Sequence, residues 1–239
     1  MTQGSTLLLV HGAWCGGWVW EPLLAELQER DVRAEVIEQL PSAGPDAAGL
    51  GDLDADVEHV RARLSELGGP VVVCGHSYGG IVMTELADHP AIARSVYLAA
   101  FWPSEGQSLF GLIGGQPPPW VDGRDDGSLA ITGDAERARD ALFADLGAED
   151  AARVHDRLVL QSAASFLAPS GAPARSHPCT YVLCSEDRAI PPALQEMMSA
   201  PADDVIRLQS AHFPQLSQPA QLADLLATLV TEPAGRAAD

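Results

Sequence analysis

A chain of 239 residues is long enough for one large core, and with 46% apolar residues and its 22 glycines and 18 prolines spread along it, neither disorder nor a fibrous repeat fits. Its 33 acidic residues face 14 basic ones, all of them arginine, for a formal charge of -19. Such a surface repels phosphate backbones and anionic membranes, so no nucleic-acid or membrane partner is expected; a small-molecule substrate is, and a homodimer stays open.

The amino-terminal residues carry no basic stretch, and the first apolar run, Leu7 to Val10, is too short for a signal segment or a membrane span. A cytoplasmic location is the expectation. Short β-branched runs then alternate with helical patterns, the mark of βαβ units and a parallel sheet. Strands are expected at Thr6–Val10, Arg33–Ile37, Val71–Cys74, Ser95–Leu98, Thr180–Cys184 and Val205–Leu208. Leu53, Val57, Val60, Leu64 and Leu67 put one apolar stripe on a helix over Asp52–Leu67, ended by Gly68-Gly69-Pro70. Leu222, Leu225, Leu226 and Leu229 mark a last helix opened by Pro219.

From Pro103 to Pro178 the alternation breaks. Two short helical patterns, near Asp134–Leu146 and Glu149–Leu160, follow a Gly/Pro-rich entry, so a small helical cap inserted after the fourth strand is expected. The organisation is then a core over residues 1–102, a cap over 103–178 and the rest of the core over 179–239. Residues expected to line a substrate pocket beneath the cap are Trp14, His11, Phe101, Trp102, Phe110, Trp120 and Phe166, with Leu112, Ile113 and Leu167 as further candidates. The four cysteines form no Cys-x-x-Cys pair and are read as reduced, buried small hydrophobes; no metal or cofactor is expected.

Gly75-His76-Ser77-Tyr78-Gly79 follows the apolar strand Val71–Cys74 directly and precedes a plausible helix, Gly80–Asp88. That is the context of a nucleophile elbow. A tight strand-to-helix turn holds a serine hydroxyl clear of its surroundings, and glycines two residues to either side let it close. The helix N-terminus leaves backbone N–H groups unpaired beside the serine, which makes Tyr78 N–H a natural oxyanion donor. A second donor is expected after the first strand, where Val10-His11-Gly12-Ala13 lets backbone approach a reacting carbonyl; Ala13 N–H is assigned to it.

Of seven histidines, His59 and His155 lie on helical patterns, His89 precedes a proline, His177 leaves the cap, and His11 and His76 are fixed in turns. His212 follows the last strand at the carboxyl edge of the sheet, where α/β active sites gather. The acid is expected after the preceding strand, at Ser185-Glu186-Asp187-Arg188. Asp187 is preferred, although alternating side-chain directions let only one of the Glu-Asp pair face the histidine and the residues alone do not say which.

Together these segments resemble the α/β-hydrolase branch that holds plant methyl esterases, hydroxynitrile lyases and their bacterial relatives. The resemblance runs through Leu9–Ala13 with Gly16–Trp20, the elbow Gly75–Gly80, Leu98–Pro103, Tyr181–Pro191, and the His212 loop into Leu216–Pro219. It implies an α/β-hydrolase fold with a doubly wound, mostly parallel sheet of about six strands, a triad of Ser77, His212 and Asp187, and an oxyanion hole from Ala13 and Tyr78. The lyases carry threonine at the place of Gly12, Glu-Ser-Cys in place of His76-Ser77-Tyr78, and a lysine beside the catalytic histidine, where this chain has Phe213. With no lysine and only distant arginines, an anionic leaving group lacks its cation. The expected activity is that of a serine carboxylesterase on a small organic ester; the alternative is a lyase, cyclase or elimination catalyst on the same triad.

Overall fold

The computed structural model describes residues 5–231. Ten strands follow the chain: β1 Thr6–Val10, β2 Ala34–Val36, β3 Ala43–Gly44, β4 Val71–His76, β5 Ile92–Leu98, β6 Val121–Gly123, β7 Ser128–Ile131, β8 Leu160–Ser162, β9 Cys179–Cys184 and β10 Asp204–Leu208. Six of them form a parallel sheet in the order β2-β1-β4-β5-β9-β10, the six expected from sequence. Because every pair in that sheet is parallel, the carboxyl ends of β1, β4, β9 and β10 lie on one edge, and that edge carries the site.

Parallel strands buried on both faces need apolar residues at every position, which is why β1 and β4 read as unbroken runs. Successive side chains sort to opposite faces. Leu8, Val10, Val71, Val73, Tyr97, Tyr181 and Leu183 pack with Val57, Val60 and Leu64 of the helix Leu53–Leu67. Leu7, Leu9, Val72, Val96 and Val182 pack with Leu23 and Leu27 of the helix Glu21–Glu29 and Leu222 and Leu226 of the helix Pro219–Thr231. Each fully buried leucine contributes about 2 kcal/mol of transfer free energy. Asp52 caps the helix Leu53–Leu67 by accepting from Ala55 N–H at 3.0 Å, and Gly68, at φ +65°, ends it in a left-handed turn.

The segment between β5 and β9 holds the two expected helices, now Ala135–Leu142 and Ala148–His155, and two short ones, Leu109–Leu112 and Ala163–Leu167. It also holds β6, β7 and β8, which join β3 in an antiparallel sheet ordered β3-β8-β7-β6. A purely helical cap is therefore corrected to a mixed one. The pattern over Glu149–Leu160 stops at His155 because Leu160 opens β8. A hairpin signal lay in Asp126-Gly127: Gly127 takes φ +80°, and Asp126 accepts from Ser128 N–H at 2.9 Å. No described helix is long and apolar enough to cross a membrane. All four cysteines are unpaired and buried, and burial pushes their thiol pKa values up.

Candidate active site

β4 runs into the turn at Ser77, whose φ of +52° is left-handed, a conformation that costs a non-glycine residue about 1–2 kcal/mol. Three backbone bonds hold it there. Ser77 N–H donates to the Leu98 carbonyl at 3.2 Å, and the Ser77 carbonyl accepts from Gly80 and Phe101 N–H, each at 3.0 Å. The neighbouring glycines are required by close approach. A Cβ on Gly75 would lie 2.7 Å from the Gly79 carbonyl oxygen, and one on Gly79 would lie 2.7 Å from that of Val10. The helix that follows is Gly79–Thr84, shorter than expected because Leu86 and Ala87 bond three residues back instead of four.

His212, after β10, and Asp187, after β9, are both buried and meet at 2.7 Å between Nδ1 and Oδ2. Every lone-pair direction of that carboxylate is used. Oδ1 accepts from the N–H groups of Ala189 and Ile190 at 2.8 and 2.9 Å, and Oδ2 also accepts from Gln195 Nε2 at 3.0 Å. Such saturation fixes the carboxylate and so the imidazole, whose Nδ1 must carry the proton. Glu186, by contrast, is exposed and accepts from Gln209 at 2.8 Å. His76 secures the same loop from below: its Nε2 donates to the His212 carbonyl at 2.8 Å. Burial, and next the nearby His212, keep His76 well below the usual histidine range, so it stays neutral.

Ser77 and His212 border one cavity of about 690 Å³ with Gly12, Ala13 and Tyr78; among the described residues no hydrogen bond joins the serine hydroxyl to the imidazole. The N–H groups of Ala13 and Tyr78 have no acceptor among the described residues, while the next one along, Trp14 N–H, is taken by Gln161. Trp14, Phe101, Trp120 and Phe166 line the walls as expected, with Leu112 and Ile113. A Cβ on Gly12 would sit 3.0 Å from both His76 Nδ1 and Ser77 Cβ, so a threonine there would have to displace one of them.

Three expected pocket residues lie elsewhere. His11 is fully buried, donates from Nδ1 to the Gly12 carbonyl at 2.8 Å and accepts at Nε2 from Leu40 N–H at 3.2 Å. It thereby fixes the peptide plane whose other end is Ala13 N–H. Trp102 follows Phe101 and turns the other way, stacking on Tyr97 at 4.2 Å and bordering a second cavity of about 490 Å³. Phe110 packs behind Phe166 at 5.4 Å because helical spacing turns Leu109, Leu112 and Ile113 to the cavity instead. Leu167 is exposed. The expectation that every arginine is distant is also corrected: the exposed Arg188 borders the cavity, and its place beside Asp187 was the available signal.

The sequence profile of the alpha/beta hydrolase family matches residues 7–225. The chain belongs to that family. It is 28% identical to Alpha/beta hydrolase nvfD of Aspergillus novofumigatus over 97% of each chain, and 37% identical to the Carbendazim hydrolyzing esterase of a Nocardioides species over 49% of this chain and 50% of that one. Among solved structures it is similar to a pyrethroid hydrolase from Sphingobium faniae, with TM-score 0.80 and 24% identity over 96% of this chain and 98% of that one. It is similar also to polyneuridine aldehyde esterase, with TM-score 0.78 and 21% identity over 95% and 99%. These two share the fold.

Two outcomes are expected. Asp187→Asn leaves the fold intact and lowers kcat by roughly ten-thousandfold through the wrong imidazole tautomer, whereas Glu186→Gln is nearly silent; steady-state kinetics of both variants checks this, and reversed effects would transfer the role to Glu186. The second outcome concerns acid stability. Burial lowers the pKa of His11 to about 4, against an ordinary value near 6.5. Between those values the unfolded chain binds protons that the folded chain refuses at His11, and burial lowers His76, His177 and His89 in the same direction, so stability falls as pH falls. Asp56, raised to about 6 by burial, works in the opposite direction over about pH 6 to 4 but is one group against four. Melting temperature should drop from pH 7 to pH 5, and His11→Gln should flatten the slope; an unchanged slope would remove His11 as its source.

Proposed function

We infer that the chain hydrolyses an ester with a bulky, largely apolar acyl or alcohol part. The observation that carries this reading is that His212, coupled to Asp187 at 2.7 Å, borders the same cavity as a serine on a left-handed elbow. Ser77 Oγ attacks the ester carbonyl while His212 Nε2 takes its proton, and Asp187 keeps the imidazole in the tautomer that can do so. The carbonyl oxygen, now an anion, accepts from Ala13 and Tyr78 N–H, each worth roughly 3 kcal/mol in the transition state. His212 returns the proton to the departing alcohol, and water, deprotonated by the same nitrogen, releases the acid.

Substrate class follows from the walls. A cavity of about 690 Å³ faced by Trp14, Phe101, Ile113, Trp120 and Phe166 gains most from burying aromatic or branched apolar groups. Relatives named for hydrolysing carbendazim and pyrethroids support a bulky substrate. One observation favours the alternative, an elimination or lyase reaction, and that is Arg188 on the cavity wall. Arg188 is exposed, however, and a leaving anion needs a cation in a dry site, where an unpaired charge costs several kcal/mol.

A quenched reaction with a panel of aryl and methyl esters, read by mass spectrometry, tests the reading. An acyl adduct on Ser77 is expected, accumulating with activated esters and favouring aromatic over acetyl groups, and no cyanide release from mandelonitrile. Cyanide release at a rate comparable to ester turnover, abolished by Ser77→Ala, would overturn it in favour of the lyase.

A further inference from the structure

Tyr78 and Trp14, the residue after Ala13, are joined by a buried polar chain that the reaction as derived does not use. Trp14 N–H donates to Gln161 Oε1 at 3.3 Å, Gln161 Nε2 donates to Ser42 Oγ at 2.7 Å, and Ser42 Oγ donates to Asp56 Oδ2 at 2.5 Å. The Tyr78 hydroxyl donates to that same Oδ2 at 2.5 Å, and Ser42 N–H donates to Oδ1 at 2.8 Å. Ser42, Asp56, Gln161 and Tyr78 are each fully buried. A carboxylate buried on hydroxyl and amide donors, with no cation beside it, is expensive, and neutral packing would serve the core better.

Trp14 explains what the expense maintains. Its φ of +60° is left-handed, like that of Ser77 on the other side of the site. Every polar atom of Trp14 is tied to the segment between β5 and β9: N–H to Gln161, the carbonyl to Val159 N–H at 2.9 Å, and Nε1 to the Leu129 carbonyl at 3.1 Å. The strained residue after Ala13 is therefore held by the cap and not by the main sheet. Tyr78 is held through its hydroxyl by Asp56 on the helix Leu53–Leu67.

We propose that the chain Trp14–Gln161–Ser42–Asp56–Tyr78 is a brace that fixes the separation of the Ala13 and Tyr78 N–H groups, with Gln161, Ser42 and Asp56 as positioning residues. The proposal rests on the serine-hydrolase reading above. A donor displaced by a fraction of an ångström keeps substrate binding and loses transition-state binding, so the brace acts on kcat and not on KM.

Ser42→Ala removes the central oxygen with little change of volume, and Gln161→Met removes the Trp14 contact with none. Each is measured on 4-nitrophenyl butyrate and on inhibition by phenylboronic acid, whose tetrahedral serine adduct puts an oxygen in the hole; rates are normalised to the Ser77 labelled at end point by a fluorophosphonate. In both variants kcat and boronate affinity should fall by the same factor, on the order of ten- to a hundredfold, with KM within about threefold. Asp56→Asn combined with Gln161→Met should cost no more than the worse single change, because one break already releases the brace. Unchanged kcat and boronate affinity, an effect confined to KM, or losses that multiply would overturn the proposal. If Gln161→Met does not fold, Ser42→Ala decides alone. A wild-type protein inert to ester and boronate would overturn the hydrolase reading and this one with it, whereas wild-type turnover beside unaffected variants overturns this one only.

Discussion

The structure depends on a serine held in a left-handed backbone conformation at the end of a buried parallel strand. That conformation is unfavourable for any residue with a Cβ, so it persists only where the surroundings leave no alternative. Here the Leu98 carbonyl and the N–H groups of Gly80 and Phe101 pin Ser77 on both sides. The glycines at 75 and 79 let β4, β1 and the following helix close to distances a side chain would forbid. Much of the main sheet's order serves this point: β4 lies centrally, so both neighbours, β1 and β5, supply backbone to the turn.

Around that point most polar side chains are paired, His76 Nδ1 being a buried exception, and apolar groups are left open. The Asp187 carboxylate accepts four hydrogen bonds, and His11 is satisfied at both nitrogens. His76 and His212 are each fixed by one bond from the ring, to the His212 carbonyl and to Asp187. The cavity they border is walled by tryptophan, phenylalanine and aliphatic residues. An electrostatically prepared floor beneath an apolar wall suits a reaction in which charge appears only in the transition state.

The six main strands were legible because double burial writes itself as continuous apolar runs, and the pairing of His212 with Asp187 was legible because each follows the end of a main-sheet strand, β10 and β9. β3 and β6–β8 were not. Strands of two to four residues that include Asp122 and Gly123 have no period to detect, and only Asp126-Gly127 announced a hairpin. Side-chain direction in loops was equally hidden. It separates Phe101, which faces the cavity, from Trp102, which does not, and Asp187, which meets His212, from Glu186, which does not. Arg188 was overlooked beside an acid that drew the attention. The polar chain beneath Tyr78 is invisible in principle to a local reading, since Ser42 and Gln161 are 119 residues apart and Asp56 sits in a helix whose acidic residues look solvated.

The account's central claim is that Ser77 and His212 act as one unit. Its most direct test is the rate of ester hydrolysis by Ser77→Ala, His212→Ala and the double variant. Each single variant should lose on the order of a thousandfold or more in kcat, and the double should lose no more than the worse single, since removing either partner already disables the other. A double variant whose loss equals the product of the two single losses would contradict the claim.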